Sequence, residues 1–327
     1  MARRIALLAC FVVFLIGCAA PRTAERRFEF SRLAMGVEAR IVLFAADEQA
    51  AVRAAQAAFA EIARLEAAFS DWRDDSELSQ LAERAGCGPV PVSQDLFDVL
   101  WRAREVSEAT DGAFDVTVGP LVRLWRAARR AGTLPAAAEL ARARALVGWG
   151  LVALDARART VALAKPGMRL DLGGIGKGHA GQRAVDLLAD LGHARALVQM
   201  GGDVVCGAPP PGRDGWQIDV DGRRVLVARR AVATSGDAAQ HVVIDGVRYG
   251  HVVDPRTGLG AQGARQVTIE AADGATADAL ATAGALLARD QLGAVLDGLG
   301  ARLLGGEPAA GQRSSAAHPE ADPGAGP

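Results

Sequence analysis

Three stretches of this chain carry residues whose types and spacing can do chemistry. The first is Leu170-Asp171-Leu172-Gly173-Gly174-Ile175-Gly176-Lys177-Gly178. Closely spaced glycines let backbone amides approach phosphate oxygens, and the N-terminus of a following helix adds a favourable dipole. Lys177 adds a positive charge. The spacing excludes a P-loop, because the positions that need a glycine and a Ser or Thr hold Asp171 and Gly178. A tight strand-to-helix turn with a solvated lysine is the other reading of the same residues. The second stretch is Tyr249-Gly250-His251-Val252-Val253-Asp254-Pro255-Arg256-Thr257-Gly258. It puts His251 at the end of an apolar strand, where it can shuttle a proton near neutral pH or serve structure alone. The third is Ala277-Asp278-Ala279-Leu280-Ala281-Thr282. On a helix Asp278 and Thr282 share one face. They can hold a hard cation such as Mg²⁺ through oxygen, or act as a helix-start Asp and a Thr bonded to its own turn.

These residues need elements to hold them. Alternation at Val37, Ala39, Ile41 and Leu43 predicts a strand, and Val52, Ala55, Phe59, Ile62, Leu65 and Phe69 recur at helical spacing. A second helix is expected around Leu96–Val106 and a third over 126–146, with Pro135 as a boundary. The second half reads as a hairpin at 151–164, then a helix opened by the glycine turn at 173–178. Short strands follow near 195–200, 216–220, 225–228 and 241–244, then a strand at 267–271 and a helix at 275–288. Asp245-Gly246 is a hairpin turn signal, since both central positions need positive φ. Ser76 is a candidate helix cap in a polar loop that holds Trp72.

At 327 residues and half hydrophobic, the chain can bury a full core. A net charge of −1 gives no reason to expect nucleic acid as a partner. Arg3 and Arg4 precede an apolar run from Ile5 to Ile16, too short to span a bilayer and suited to a secretory signal. The run ends in Leu15-Ile16-Gly17-Cys18, which resembles the lipobox of bacterial lipoproteins. Residues 1–18 are expected to be a lipoprotein signal with lipidation at Cys18, the other reading being an ordinary cleaved signal with a chance cysteine, and 19–30 a tether. The tail from 306 to 327 is rich in Ala, Pro, Gly and Ser and is expected to be disordered. Cys87 and Cys206 lack metal-site spacing.

Read in order, the blocks resemble the FAD:protein FMN transferase (ApbE) family, described earlier as thiamine-biosynthesis lipoproteins. The resemblance runs from Met35-Gly36 through FSDWRDDSEL, DGAFDVTVGPLVRLW, LDLGGIGKGHA, ALVQMGGDV, AVATSGD, HVVDPRTG and ADALAT. It departs at Gly176, at Gly181-Gln182-Arg183, at Ala238-Ala239-Gln240 and in the glycine-rich run from Gly258 to Gln266.

The resemblance implies a mixed α/β (α+β) fold, one two-lobed domain over 31–305 with FAD in the cleft between the lobes. It implies that Met35, Trp72, Ala113, Phe114, Asp115, Asp171, Lys177 and Val252 or Val253 line the flavin nucleotide site. Mg²⁺ would be held by the Gly174 carbonyl, Asp278 and Thr282, with His251 as the base. Asp254 and Arg256 would fix the turn or orient the site, and Thr234-Ser235-Gly236-Asp237 would border the cleft. The implied reaction splits FAD and joins FMN through a phosphoester to a Ser or Thr of an exported acceptor, an electron-transfer subunit, releasing AMP. The implied place is the bacterial cell envelope, lipid-anchored on the periplasmic or outer face of the membrane. Two alternatives are a Mg²⁺-dependent FAD pyrophosphatase and a non-enzymatic FAD-binding lipoprotein.

Overall fold

The computed structural model describes residues 25–236, 241–262 and 266–306. Residues 1–24, with the expected signal and Cys18, residues 237–240 with Asp237 of the expected cleft border, residues 263–265 of the glycine-rich run and the tail beyond 306 lie outside the described residues. The centre is a seven-stranded antiparallel sheet. Its strands are β1 (Arg26–Ala34), β2 (Val37–Ala45), β3 (Ala196–Met200), β4 (Asp203–Cys206) and β5 (Arg230–Gly236). A strand of a second sheet, β6 (Val247–Val253), intervenes in the chain before β7 (Gln266–Ala271) and β8 (Arg302–Gly306) complete the first. The order across the large sheet is β1-β2-β3-β4-β5-β7-β8. β1 begins at Arg26, so residues 26–30, expected as tether, are strand instead. Exposed side chains along β1 hide it from a hydrophobicity pattern, and it is recruited by pairing with β2 from Arg26↔Ala45 to Ala34↔Val37. β8 likewise extends one residue into the expected tail, to Gly306.

One face of the sheet carries helices α1 (Glu48–Phe69), α4 (Gly176–Asp190) and α5 (Gly274–Gly284). Between α1 and α4 in the chain come α2 (Gln94–Ala109) and α3 (Gly119–Ala131). Asp47 caps α1 by accepting from the Ala50 amide at 2.8 Å, and Ala58, Phe59, Ile62, Leu65 and Phe69 turn one stripe to the core. β2 is buried on both faces, so its alternation is imperfect. Ile41 and Leu43 enter the helix-covered core, and Val42 joins a second cluster beneath the hairpin Trp216–Val220/Arg223–Val227. The single helical stretch expected over 126–146 is two helices. α3 starts earlier, with Pro120 in its first turn, and stops at Gly132 in the left-handed region (φ 69°); Ala137–Arg144 follows.

A smaller lobe has its own core of Leu121, Trp125, Ala128, Ile244, Tyr249 and Val253. It packs α3 against a three-stranded sheet of His241–Ile244, β6 and Gly260–Gln262. Asp245 and Gly246 adopt φ 49° and 75°, the hairpin turn expected of them. Cys206 is buried in β4, Cys87 is exposed, and both are free thiols.

α4 and α5 start almost in backbone contact. A Cβ on Gly178 would lie 2.0 Å from the Gly274 carbonyl oxygen, and one on Gly274 would lie 2.2 Å from that of Gly178. Only hydrogen fits between the chains. Gly178→Ala must push the two helix starts apart, and overpacking of this kind costs about 1–3 kcal/mol. We expect a lower urea midpoint with an unchanged slope; wild-type stability in this variant would show that the helix starts yield freely.

Candidate active site

The helix contact brings two sequence-distant stretches together. Asp278 accepts from the Gly178 amide at 3.1 Å and from Lys177 Nζ at 3.1 and 3.2 Å. Lys177 Nζ also lies 3.0 Å from Asp203 Oδ2, an ion pair without the alignment of a hydrogen bond. Asp203 and Asp278 are almost wholly buried. Burial, with Asp278 nearby, pushes the Asp203 carboxyl up to about 7 against the pull of Lys177. Burial alone would lower the Lys177 pKa, but the Asp278 and Asp203 carboxylates raise it above its ordinary value. Two buried carboxylates thus share one ammonium at the cavity wall.

The glycine loop does less with its amides than its sequence suggests. Gly173 N donates to Asp171 Oδ1, Ile175 and Gly176 both donate to the Leu172 carbonyl, and Gly178 donates to Asp278. What the loop turns outward is oxygen: the Gly174 carbonyl lies 3.5 Å from Thr282 Oγ1. A Cβ at Gly174 would sit 2.9 Å from that hydroxyl. The donors gathered here are one carboxylate (Asp278), one hydroxyl and one carbonyl. All are hard oxygens, which fits Mg²⁺ with water or phosphate completing its shell. Among the described residues no three His, Cys, Asp or Glu side chains converge as a metal cluster.

These groups open onto a cavity of about 320 Å³ between the two lobes. The large lobe contributes Ala113, Phe114, Asp115, Asp171, Lys177 and Asp278 to its wall, and the small lobe His251 and Val253. Asp115 accepts from the Thr117 amide at 2.8 Å and its hydroxyl at 2.7 Å, capping a short turn. Burial raises its pKa against those bonds. His251 rides on β6, whose pairing with Gly260–Gln262 shifts register between Tyr249 and Val253. Such an irregularity re-aims side chains. Trp125 supports the strand by donating its indole N–H to the Gly250 carbonyl at 3.2 Å. Asp254 and Arg256 do fix the following turn, through a paired carboxylate–guanidinium contact at 2.9 Å. Arg256 also donates to the Leu286 carbonyl at 3.1 Å, tying the His251 strand to the chain just after α5. Thr234, Ser235 and Gly236 border the cavity as expected.

Met35 and Trp72 line a second cavity of about 310 Å³. The two cavities share Arg126, Asp171, Gly173 and Lys177. Arg126 NH2 donates to Asp171 Oδ2 at 3.1 Å, its other terminal nitrogen pairs with Asp71, and its guanidinium lies 4.3 Å from the Trp72 ring centre. Burial, with Asp71 nearby, pushes the Asp171 carboxyl up against Arg126 and the Gly173 amide.

The ApbE family model matches residues 35–302. The chain belongs to the ApbE family. A Treponema pallidum relative named FAD:protein FMN transferase is 32% identical over 304 residues, 86% of this chain and 84% of its own length. One of the same name from Klebsiella pneumoniae is 32% identical over 240 residues, 72% of this chain and 74% of its own. Among solved structures, the ApbE protein of Thermotoga maritima superposes with a TM-score of 0.75 at 33% identity, over 86% of this chain and 97% of its own. The flavin transferase ApbE of Vibrio cholerae gives 0.73 at 28%, over 85% and 93%.

The residues that the ApbE resemblance assigns to flavin, metal and base all line these two joined cavities. Sequence reading missed Asp203 and Arg126. Asp203 stands in the quoted ALVQMGGDV block, where an acid after two glycines was the available signal. Arg126 directly follows a quoted block and looked like one more arginine on an Arg-rich helix. Removing the ammonium by Lys177→Met leaves Asp203 and Asp278 facing each other. Losing one partner of a buried ion pair costs about 3–5 kcal/mol. We expect a loss of that size in denaturant unfolding of the metal-free protein at pH 8; a change below about 1 kcal/mol would mean the carboxylates are not held as a charged triad.

Proposed function

We propose that this protein is a Mg²⁺-dependent FAD:protein FMN transferase that joins FMN through a phosphoester to a Ser or Thr hydroxyl of a partner protein. The observation that carries this reading is the convergence of His251, Lys177 and the Asp278–Thr282–Gly174 oxygens on one interlobe cavity, in a chain whose relatives bear that name. The acceptor oxygen attacks the FMN-side phosphorus. A phosphorus–oxygen bond forms, the bridging pyrophosphate bond breaks, and AMP leaves with the bridging oxygen. His251 takes the proton of the attacking hydroxyl, a weak nucleophile without a base. Lys177 holds Asp278 in place and adds positive charge at the loop where the pyrophosphate would lie. Mg²⁺ held by the Gly174 carbonyl, Asp278 and Thr282 would supply charge neutralisation on the pyrophosphate and the departing AMP. Water in place of the acceptor hydroxyl would make the same site an FAD pyrophosphatase. A storage protein needs no base, so His251 beside the oxygen cluster speaks against that role.

The test is incubation with FAD, Mg²⁺ and candidate exported electron-transfer subunits, read by intact mass of the acceptor. One FMN phosphoester should appear. Free FMN with an unmodified acceptor would instead establish hydrolysis. Asp278→Ala should abolish Mg²⁺-dependent FAD consumption, and full consumption by it would sink the metal assignment. His251→Ala should lower transfer by roughly 10²–10⁴-fold, the usual weight of a general base; transfer at the wild-type rate would remove His251 from that role.

We further propose that Cys18 is lipidated and tethers the domain to the outer face of a bacterial membrane. Arg3 and Arg4, the apolar run to Ile16, and Gly17-Cys18 support this. Cys18→Ala should shift the protein from the membrane to the soluble fraction of an expressing bacterium. An unchanged distribution would overturn the anchor.

A further inference from the structure

Arg126 is a charged group that the reading above leaves without a task. It lies on the wall shared by both cavities and touches three groups there at once. Its guanidinium covers the Trp72 ring at 4.3 Å and pairs with Asp71 and Asp171. Trp72 is 70% exposed and lines the second cavity together with Arg126, so a flat ring that stacked on it from the shared wall would meet the guanidinium. A stacked ring and the guanidinium cannot occupy that face together.

The charges around the shared wall sharpen the point. Asp71, Asp171, Asp203 and Asp278 face Lys177 and Arg126. Lys177 adds charge at the pyrophosphate loop, but two carboxylates already share its ammonium. Of the two cations on the wall shared by both cavities, Arg126 is the one that offsets Asp71 and Asp171; Arg129 lines the first cavity only. A guanidinium that leaves the Trp72 face remains fixed to α3 at the same wall. Its planar donors suit phosphate oxygens there.

We propose that Arg126 determines specificity for a phosphorylated flavin nucleotide. It yields the face of Trp72 to the incoming ring system and pairs with the phosphate that bridges the two cavities. The inference rests on the reading of FAD as substrate. It adds a selective role for a residue whose partners in the free protein are two aspartates and a tryptophan.

The test compares the full chain with Arg126→Met and Arg126→Lys in calorimetric titrations with FAD and with riboflavin, in the presence of Mg²⁺ and over a range of salt. Arg126→Met should weaken FAD roughly tenfold or more, as loss of a charge-assisted contact does. Riboflavin, which has no phosphate, should bind as well as before or better. The salt dependence of FAD binding should flatten, because one fewer charge meets the phosphate. Arg126→Lys should recover part of the FAD affinity and the salt slope. Where Arg126→Met does not fold, Arg126→Gln keeps a donor for Asp71 and should show the same loss and the same flatter slope. Equal losses for FAD and riboflavin, or an unchanged FAD affinity and salt slope, would overturn the proposal. Wild-type protein that binds neither flavin would overturn the FAD reading instead.

Discussion

The site depends on two glycines that let two helices begin in backbone contact. Gly178 and Gly274 meet so closely that no Cβ fits at either position. That approach carries the Gly178 amide and the Lys177 ammonium to Asp278, a hundred residues away in the chain. It also sets Thr282, one turn further along α5, beside the Gly174 carbonyl. The oxygen cluster exists because backbone replaces side chain at this crossing. The flanking glycine loop follows from the same need: a Cβ on Gly174 would crowd the Thr282 hydroxyl.

Charge is the second constraint. Burying Asp203 and Asp278 beside each other is costly, and one ammonium shared between them offsets it. Asp71 and Asp171 repeat the arrangement with Arg126. The interlobe wall therefore has two carboxylate pairs, each bridged by one cation. An anionic ligand can enter only where a cation or a metal meets it. The loop amides do not serve this purpose, since most are bonded within the protein, and the carbonyl and hydroxyl oxygens of the site favour a metal.

The small lobe aims one residue at this wall. β6 holds His251 through a register shift, a tryptophan beneath the strand and a paired Asp254–Arg256 turn. Arg256 reaches the Leu286 carbonyl, so the His251 strand is tied to the chain that leaves α5. His251 and the oxygen cluster are set by one linked scaffold, although a cleft separates the lobes that carry them.

The sequence by itself determined the amphipathic helices, the Asp245-Gly246 hairpin and the residue types at the site. These depend on neighbours three or four places away, or on backbone angles that few residues adopt. Ordered blocks of such residues were also enough to point to the ApbE family and to the residues on the cleft. Strand β1, the division of 126–146 into two helices and the roles of Asp203 and Arg126 were not legible. β1 shows solvent most of its side chains and is held by pairing with β2, which leaves no periodic signature. Asp203 and Arg126 owe their importance to partners far along the chain: Lys177 for one, Asp71, Trp72 and Asp171 for the other. Only the tertiary structure could decide those, because charge pairing and desolvation are set by which groups share a buried wall.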